Sequence, residues 1–278
     1  MQGKNAHKIN GKLLCAAGAV LGLPVLMLAP GRATRRQKAP FRGMNFAHRG
    51  LHSRDKSVPE NSLKAFELAA AAGYGIELDV QLSRDGQVVV FHDDTLERVC
   101  GVQKRVDELS YEELLKLRLC GSDCTIPLFS QVLDTIRGRG PLIVELKDGK
   151  RNRELCEKTY ELLSDYRGQV CIESFNPMIV AWFRLHGRDL VRGQLAMPAC
   201  YYSETMKKPL AFLLSHGLLN FLCRPQFIAY RIGKKPLTVR LSERLGAMKV
   251  AWTSHEPKNE KGNDAVIFEF YKPRVNFK

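Results

Sequence analysis

From Gly43 to the C-terminus, short β-rich runs alternate with helical stretches, and that rhythm leaves few architectures open. The β-rich runs are MNFAH, YGIELDVQL, QVVVFH, PLIVEL, QVCIESF, VRGQLA, LNFLCRP, KVAWTS and DAVIFEF. Between them lie stretches such as SLKAFELAAAAG, YEELLKLR and RELCEKTYELLSDYRG, whose apolar spacing and length are helical. A helix between successive strands returns the chain to the same edge, so the strands run parallel. Helix signals agree: Asn61 or Ser62 stands as N-cap ahead of LKAFELAAAA, and Gly73 closes that helix. Nine candidate strands exceed the eight of a (β/α)₈ TIM barrel by one, so one is expected in a hairpin or outside the ring.

Residues 43–278 contain no repeat, no low-complexity tract and no Pro/Gly/Ser linker. About 235 residues is the usual size of one (β/α)₈ domain. A doubly wound sheet would be smaller, and its GxGxxG fingerprint follows none of the strands. The expectation is an α/β chain of two parts: an N-terminal segment over 1–42 and a TIM barrel over 43–278.

Charge distribution separates the same two parts. The formal net charge is +14, yet residues 1–42 hold eight Lys/Arg and no acid, leaving 35 basic against 29 acidic residues for the rest. A nucleic-acid binder would carry its basic stripe on the folded body, so that function is excluded as an expectation. Between the basic clusters runs LLCAAGAVLGLPVLMLAP, the uncharged hydrophobic span 13–30. Its length meets the roughly 17-residue minimum for crossing a bilayer as a helix. Met27, Leu28, Ala29 and Pro30 make a poor cleavage site, so an uncleaved signal-anchor or transmembrane helix is expected. Five basic residues follow the span and three precede it, which places the barrel on the cytoplasmic side of the cell membrane. The eight cysteines show no CxxC pair and no disulfide framework, in keeping with reduced thiols.

Polar residues on the strands carry the chemistry. In GIELDVQL, Glu77 and Asp79 are two apart and share a face; in VELK, Glu145 and Lys147 do the same. Three carboxylates converging on the C-terminal mouth of a barrel offer oxygen ligands to a hard divalent cation, Mg²⁺ or Ca²⁺. His48 and His92 each end a β-rich run, where imidazoles can exchange protons near neutral pH. Arg49 adds a guanidinium fork that matches phosphate oxygens. Cation, proton-transfer pair and anion clamp together point to phosphoryl-ester chemistry.

The runs AHRG, PENSLKAFELAAAAGYGIELDVQLSRDGQVVVFHDDTLERVCG, VELK, ESFNP and AWT resemble the glycerophosphodiester phosphodiesterase family, in order and spacing, from about Gly43 onward. The resemblance implies a (β/α)₈ barrel that hydrolyses glycerophosphodiesters to glycerol 3-phosphate and an alcohol. It implies His48 and His92 as the acid-base pair and Glu77, Asp79 and Glu145 as ligands of one divalent cation. It implies Arg49 and Lys147 as phosphate contacts. Phe175 and Trp252 match aromatic positions of the substrate cleft, and as bare aromatics they fit the core equally well. Glu60 is expected to support the site. The last strand, VIFEFYKP, departs from the family's Thr-Asp pair, and the segment before it is too short for a full helix. Two further readings stay open: a lysophospholipase D on longer lipids, and a non-catalytic barrel binding phosphorylated ligands at the membrane.

Overall fold

The structure, a computed structural model, describes residues 26–277 apart from Thr205. Strand alternation builds its centre. In β1 (Met44–Ala47), β2 (Gly75–Leu82) and β4 (Leu142–Leu146), every second residue faces the helices and the others face the barrel axis. Ile76, Leu78, Val80, Leu142, Val144 and Leu146 join Phe66, Phe129 and Phe183 in the outer layer. Phe46, Ile143, Cys171, Leu195, Phe227, Met248 and Ile267 fill the axis. Each such fully buried side chain contributes about 1.5–3 kcal/mol of transfer free energy, so two concentric apolar layers hold the ring.

The ring is closed. Going round it, β1 pairs in parallel with β2, β2 with β4, and then β5 (Val170–Ser174), β6 (Val191–Ala196), β7 (Phe227–Arg231), β8 (Met248–Ser254) and β9 (Ala265–Phe268) follow. β9 pairs back onto β1. The ninth strand, β3 (Val88–Val90), lies antiparallel on the end of β2, which is the expected hairpin. Outer helices include α1 (Leu63–Ala71), α2 (Phe129–Ile136), α3 (Asn152–Ser164), α4 (Pro177–His186), α5 (Lys208–Ser215) and α6 (Leu237–Arg244). Gly193 on β6 has no side chain because the Phe227 ring occupies its place: a Cβ there would lie 2.0 Å from a ring carbon.

Two sequence expectations need correction. LNFLCRP is not a strand: Asn220–Cys223 forms a helical turn, Arg224 turns the chain with a φ of 46°, and the strand begins at Phe227. Short apolar runs buried on both faces have no period that separates helix from strand, so the run beside Pro225 was the wrong one. His92 does not end a barrel strand; the β2–β3 hairpin carries it back down beside Asp79, whose carbonyl accepts the Phe91 N–H at 3.0 Å. Of the two expected N-cap candidates Ser62 is the one that caps α1, its hydroxyl accepting from Ala65 N. The short link before β9 is as expected, a single 3₁₀ turn over Pro257–Glu260.

Residues 26–42 close the barrel floor, opposite the mouth. Phe41 stacks under Phe46 with ring centroids 6.5 Å apart, and Lys38 Nζ donates to Gly246 O at 2.8 Å. Of the expected span 13–30, residues 13–25 lie outside the described residues. Among the described residues no helix is long and apolar enough to cross a membrane.

Candidate active site

Strand register assembles the acids. Asp79 on β2 is aligned with Glu145 on β4, and Glu145 with Glu173 on β5, so three carboxylates form one row across adjacent strands. Glu77 sits two residues below Asp79 on the same face. All four are buried, with 1% of Asp79 and 7% of Glu145 exposed. Ligand oxygens of Glu77, Asp79 and Glu145 lie within 4.8 Å of one another.

So many buried carboxylates side by side cannot all stay charged without a positive partner. Burial, with Asp79, Glu145 and Glu173 nearby, holds Glu77 well above the usual carboxylate range. Burial and Glu145 do the same to Glu173, and Glu145 is raised as well. Asp79 runs the other way: burial opposes its charge, but His92, Lys147 and Arg49 outweigh that, and Asn61 Nδ2 donates to Oδ2 at 2.9 Å. Among the described residues, Asp79 Oδ1 and Glu173 Oε2 are buried without a hydrogen bond. Orphaned oxygens in an all-oxygen donor set fit a hard divalent cation. Glu77, Asp79 and Glu145 could hold it.

Cationic side chains line one side. Lys147 Nζ lies 2.8 Å from Glu145 Oε1 and 3.5 Å from Asp79 Oδ1. Burial works against its charge, but those two carboxylates keep it protonated. Arg49 adopts a left-handed φ of 52° just after β1, a strained conformation for a side-chain-bearing residue. That turn lets its N–H donate to Glu77 Oε2 at 3.0 Å while Nη1 reaches Glu60 Oε1 at 2.7 Å.

Each histidine is held through Nδ1. His48 Nδ1 is 2.9 Å from Glu269 Oε2, and its Nε2 is 3.9 Å from Glu77 Oε2. Burial pulls His48 down to about 4, with Glu269 opposing, so the ring is neutral at pH 7. An ionised Glu269 accepts the Nδ1 proton, leaving the Nε2 lone pair toward the acid row. His92 Nδ1 lies 2.6 Å from Asp93 Oδ1. Arg98 then bridges Asp93 and Glu60, with Nε donating to Asp93 Oδ2 at 2.6 Å and Nη1 to Glu60 Oε2 at 2.8 Å. His92 and Arg49 are thus tied together through Asp93, Arg98 and Glu60.

A cleft of about 220 Å³ opens over these groups. His48, Arg49, Glu77, His92, Glu145, Glu173, Phe175, Arg231 and Trp252 line it. Phe175 and Trp252 meet edge to face at 5.7 Å, wall this cleft and also pack on the axial core. The nine residues singled out from the sequence for proton transfer, cation or substrate therefore lie in or directly beside one cleft, and Glu60 stands behind Arg49. Glu173, Glu269, Asp93, Arg98 and Arg231 were not assigned from the sequence. Asp93 adjoins His92, and Glu269 directly follows the atypical last strand, which were the available signals.

The sequence pattern of the glycerophosphoryl diester phosphodiesterase family matches residues 48–271. The chain belongs to that family. A glycerophosphodiester phosphodiesterase of Bacillus altitudinis is 35% identical over 150 residues, covering 50% of this chain and 60% of the relative. A lysophospholipase D of Rattus norvegicus is 33% identical over 169 residues, 56% of this chain and 52% of its own. The chain thus spans little more than half the length of these family relatives. An Oleispira antarctica phosphodiesterase, solved with the product sn-glycerol-3-phosphate, superposes with a TM-score of 0.65 at 23% identity, covering 82% of this chain and 93% of that one. At that identity the likeness shows the shared barrel fold.

Proposed function

We propose that this family member hydrolyses glycerophosphodiesters to sn-glycerol 3-phosphate and an alcohol at the cleft over the acid row. The observation that carries the reading is the joint placement of His48, His92, Arg49 and the buried acids in one open cleft. A divalent cation, Mg²⁺ or Ca²⁺, bound by Glu77, Asp79 and Glu145 would supply Lewis-acid charge beside a phosphoryl oxygen. Arg49 and Lys147 bind the phosphate and offset charge as phosphorus becomes five-coordinate. Glu60, fixed by Arg98, aims the Arg49 guanidinium.

His48 is neutral, with Nε2 unprotonated and facing the cleft; it takes the proton of the attacking hydroxyl. His92, oriented by Asp93, returns a proton to the departing alkoxide from Nε2. Phe175 and Trp252 wall the cleft against the glycerol and head group. The membrane anchor over 13–30 and a cytoplasmic barrel belong to the same proposal, supported by the basic flanks of the span. Residues 26–42 pack on the barrel floor, so an anchor upstream of them would join the face away from the cleft. That geometry favours a water-soluble diester over a lysophospholipid embedded in the same bilayer.

Glycerophosphocholine and lysophosphatidylcholine, compared on the detergent-solubilised full chain, test the choice. The expected result is a kcat/KM for glycerophosphocholine at least tenfold higher. A preference for lysophosphatidylcholine would favour the lysophospholipase D reading, which the Rattus norvegicus relative's name also raises.

A further inference from the structure

Glu269 holds more imidazole than orienting His48 requires. Its Oε2 lies 2.9 Å from His48 Nδ1 and 3.4 Å from His52 Nε2, and its Oε1 lies 3.7 Å from His255 Nε2. The four residues follow β1, β8 and β9, three neighbouring strands, so the barrel mouth itself brings them together. The His52 side chain is 9% exposed, and among the described residues its Nε2 is held only loosely, by Glu269 Oε2 at 3.4 Å. A buried imidazole nitrogen so weakly satisfied gains from a bound cation. Phe270 packs edge-on against His52 at 4.9 Å and parallel to His255 at 6.2 Å, giving the cluster an apolar wall.

These separations match a metal centre. Ligand atoms of His48, His52 and Glu269 all lie within 4.8 Å of one another, and His255 borders them through Glu269 Oε1; tetrahedral Zn²⁺, with bonds of about 2.0–2.1 Å, places its ligand atoms about 3.3 Å apart, which the contacts to Glu269 approach. Donor chemistry separates this cluster from the acid row. Two or three imidazoles and one carboxylate suit a late first-row cation such as Zn²⁺, whereas the oxygen-only row suits Mg²⁺ or Ca²⁺.

We propose that His48, His52 and Glu269, with His255 beside them, form a second metal site for Zn²⁺ that switches the enzyme off. A metal on His48 Nδ1 moves that nitrogen's proton to Nε2. The nitrogen facing the cleft then carries N–H where it had a lone pair, and it no longer accepts a proton. Glu269 is withdrawn from its hydrogen bond in the same event. The metal site stands on its own geometry; its inhibitory effect rests on the role proposed for His48.

The test uses the full chain with saturating Mg²⁺, Co²⁺ as the spectroscopic probe, Zn²⁺ as its competitor, and turnover of glycerophosphocholine in parallel. One equivalent of Co²⁺ should give a visible d–d band that Zn²⁺ displaces, with turnover falling as the site fills. His52→Asn should abolish the band, raise the Zn²⁺ concentration for half-inhibition at least tenfold, and keep zinc-free turnover within twofold. His255→Ala, at a half-exposed residue, is the second variant and should weaken Co²⁺ binding. No saturable band in Mg²⁺, or unchanged affinity in both variants, would overturn the site. One equivalent of zinc bound with turnover intact would instead uphold the site and overturn the role of His48 in proton transfer.

Discussion

Glu77→Gln should abolish turnover and leave the metal-free protein at least as stable as the wild type. The loss of activity follows from removing one of three carboxylates that would hold the cation, and EDTA should have the same effect on the unaltered chain. A cation's charge stabilisation is worth several kcal/mol, so the drop is roughly 10³-fold or more. The stability effect has the opposite sign because Glu77 is buried among Asp79, Glu145 and Glu173, which hold its carboxyl well above the ordinary range. Glutamine keeps the shape, still accepts the Arg49 N–H, and carries no charge to neutralise.

Thermal melts check both halves. In EDTA the variant should melt at or above the wild-type temperature. In Mg²⁺ only the wild type should gain, by about 2.7 kcal/mol at a hundredfold excess over Kd. pH supplies a sign check. Glu77 binds its proton more tightly in the fold than in the unfolded chain, so the wild type in EDTA loses stability as pH rises above 4.5. Glu77→Gln should flatten that slope. A variant that is less stable in EDTA, yet still gains fully from Mg²⁺, would remove Glu77 from the cation site.

Replacing either histidine by alanine should lower kcat by about 10²–10⁴ with little change in melting temperature. Both rings sit at the mouth, outside the apolar layers, with 16% of His48 and 32% of His92 exposed, so little packing is lost. The two losses should not add, because the groups act in one proton-transfer cycle. A 4-nitrophenyl diester separates their roles, since 4-nitrophenolate leaves without a proton. On that substrate the His92→Ala defect should shrink and the His48→Ala defect persist. Near-normal turnover by either variant on glycerophosphocholine would end the acid-base assignment.

What could be read from the sequence was local. The two-residue spacing of Glu77 and Asp79, and of Glu145 and Lys147, survives in any parallel strand, and those pairs landed on the axis as expected. Glu173 stood in an equally plain strand, but its importance lies in alignment with Glu145, a register between chain segments that no single strand reveals. His92 was placed in the right cleft for a different reason than its strand suggested, because a hairpin of three paired residues returns it to Asp79. The Arg49–Glu60–Arg98–Asp93 chain joins side chains up to 49 positions apart in the sequence numbering, through side-chain geometry alone. β7 was missed because FIAYR, buried on most of both faces, lacks the alternation that marks a half-exposed strand.

The central claim is that the cleft over the acid row breaks a phosphodiester on the head-group side, and product analysis tests it most directly. Glycerophosphocholine incubated with the full chain and Mg²⁺ or Ca²⁺ should yield sn-glycerol 3-phosphate and choline in equal amounts, with release stopped by EDTA and restored by excess cation. Phosphocholine and glycerol as the products, or release of glycerol 3-phosphate that persists in EDTA and in Glu77→Gln, would contradict the account.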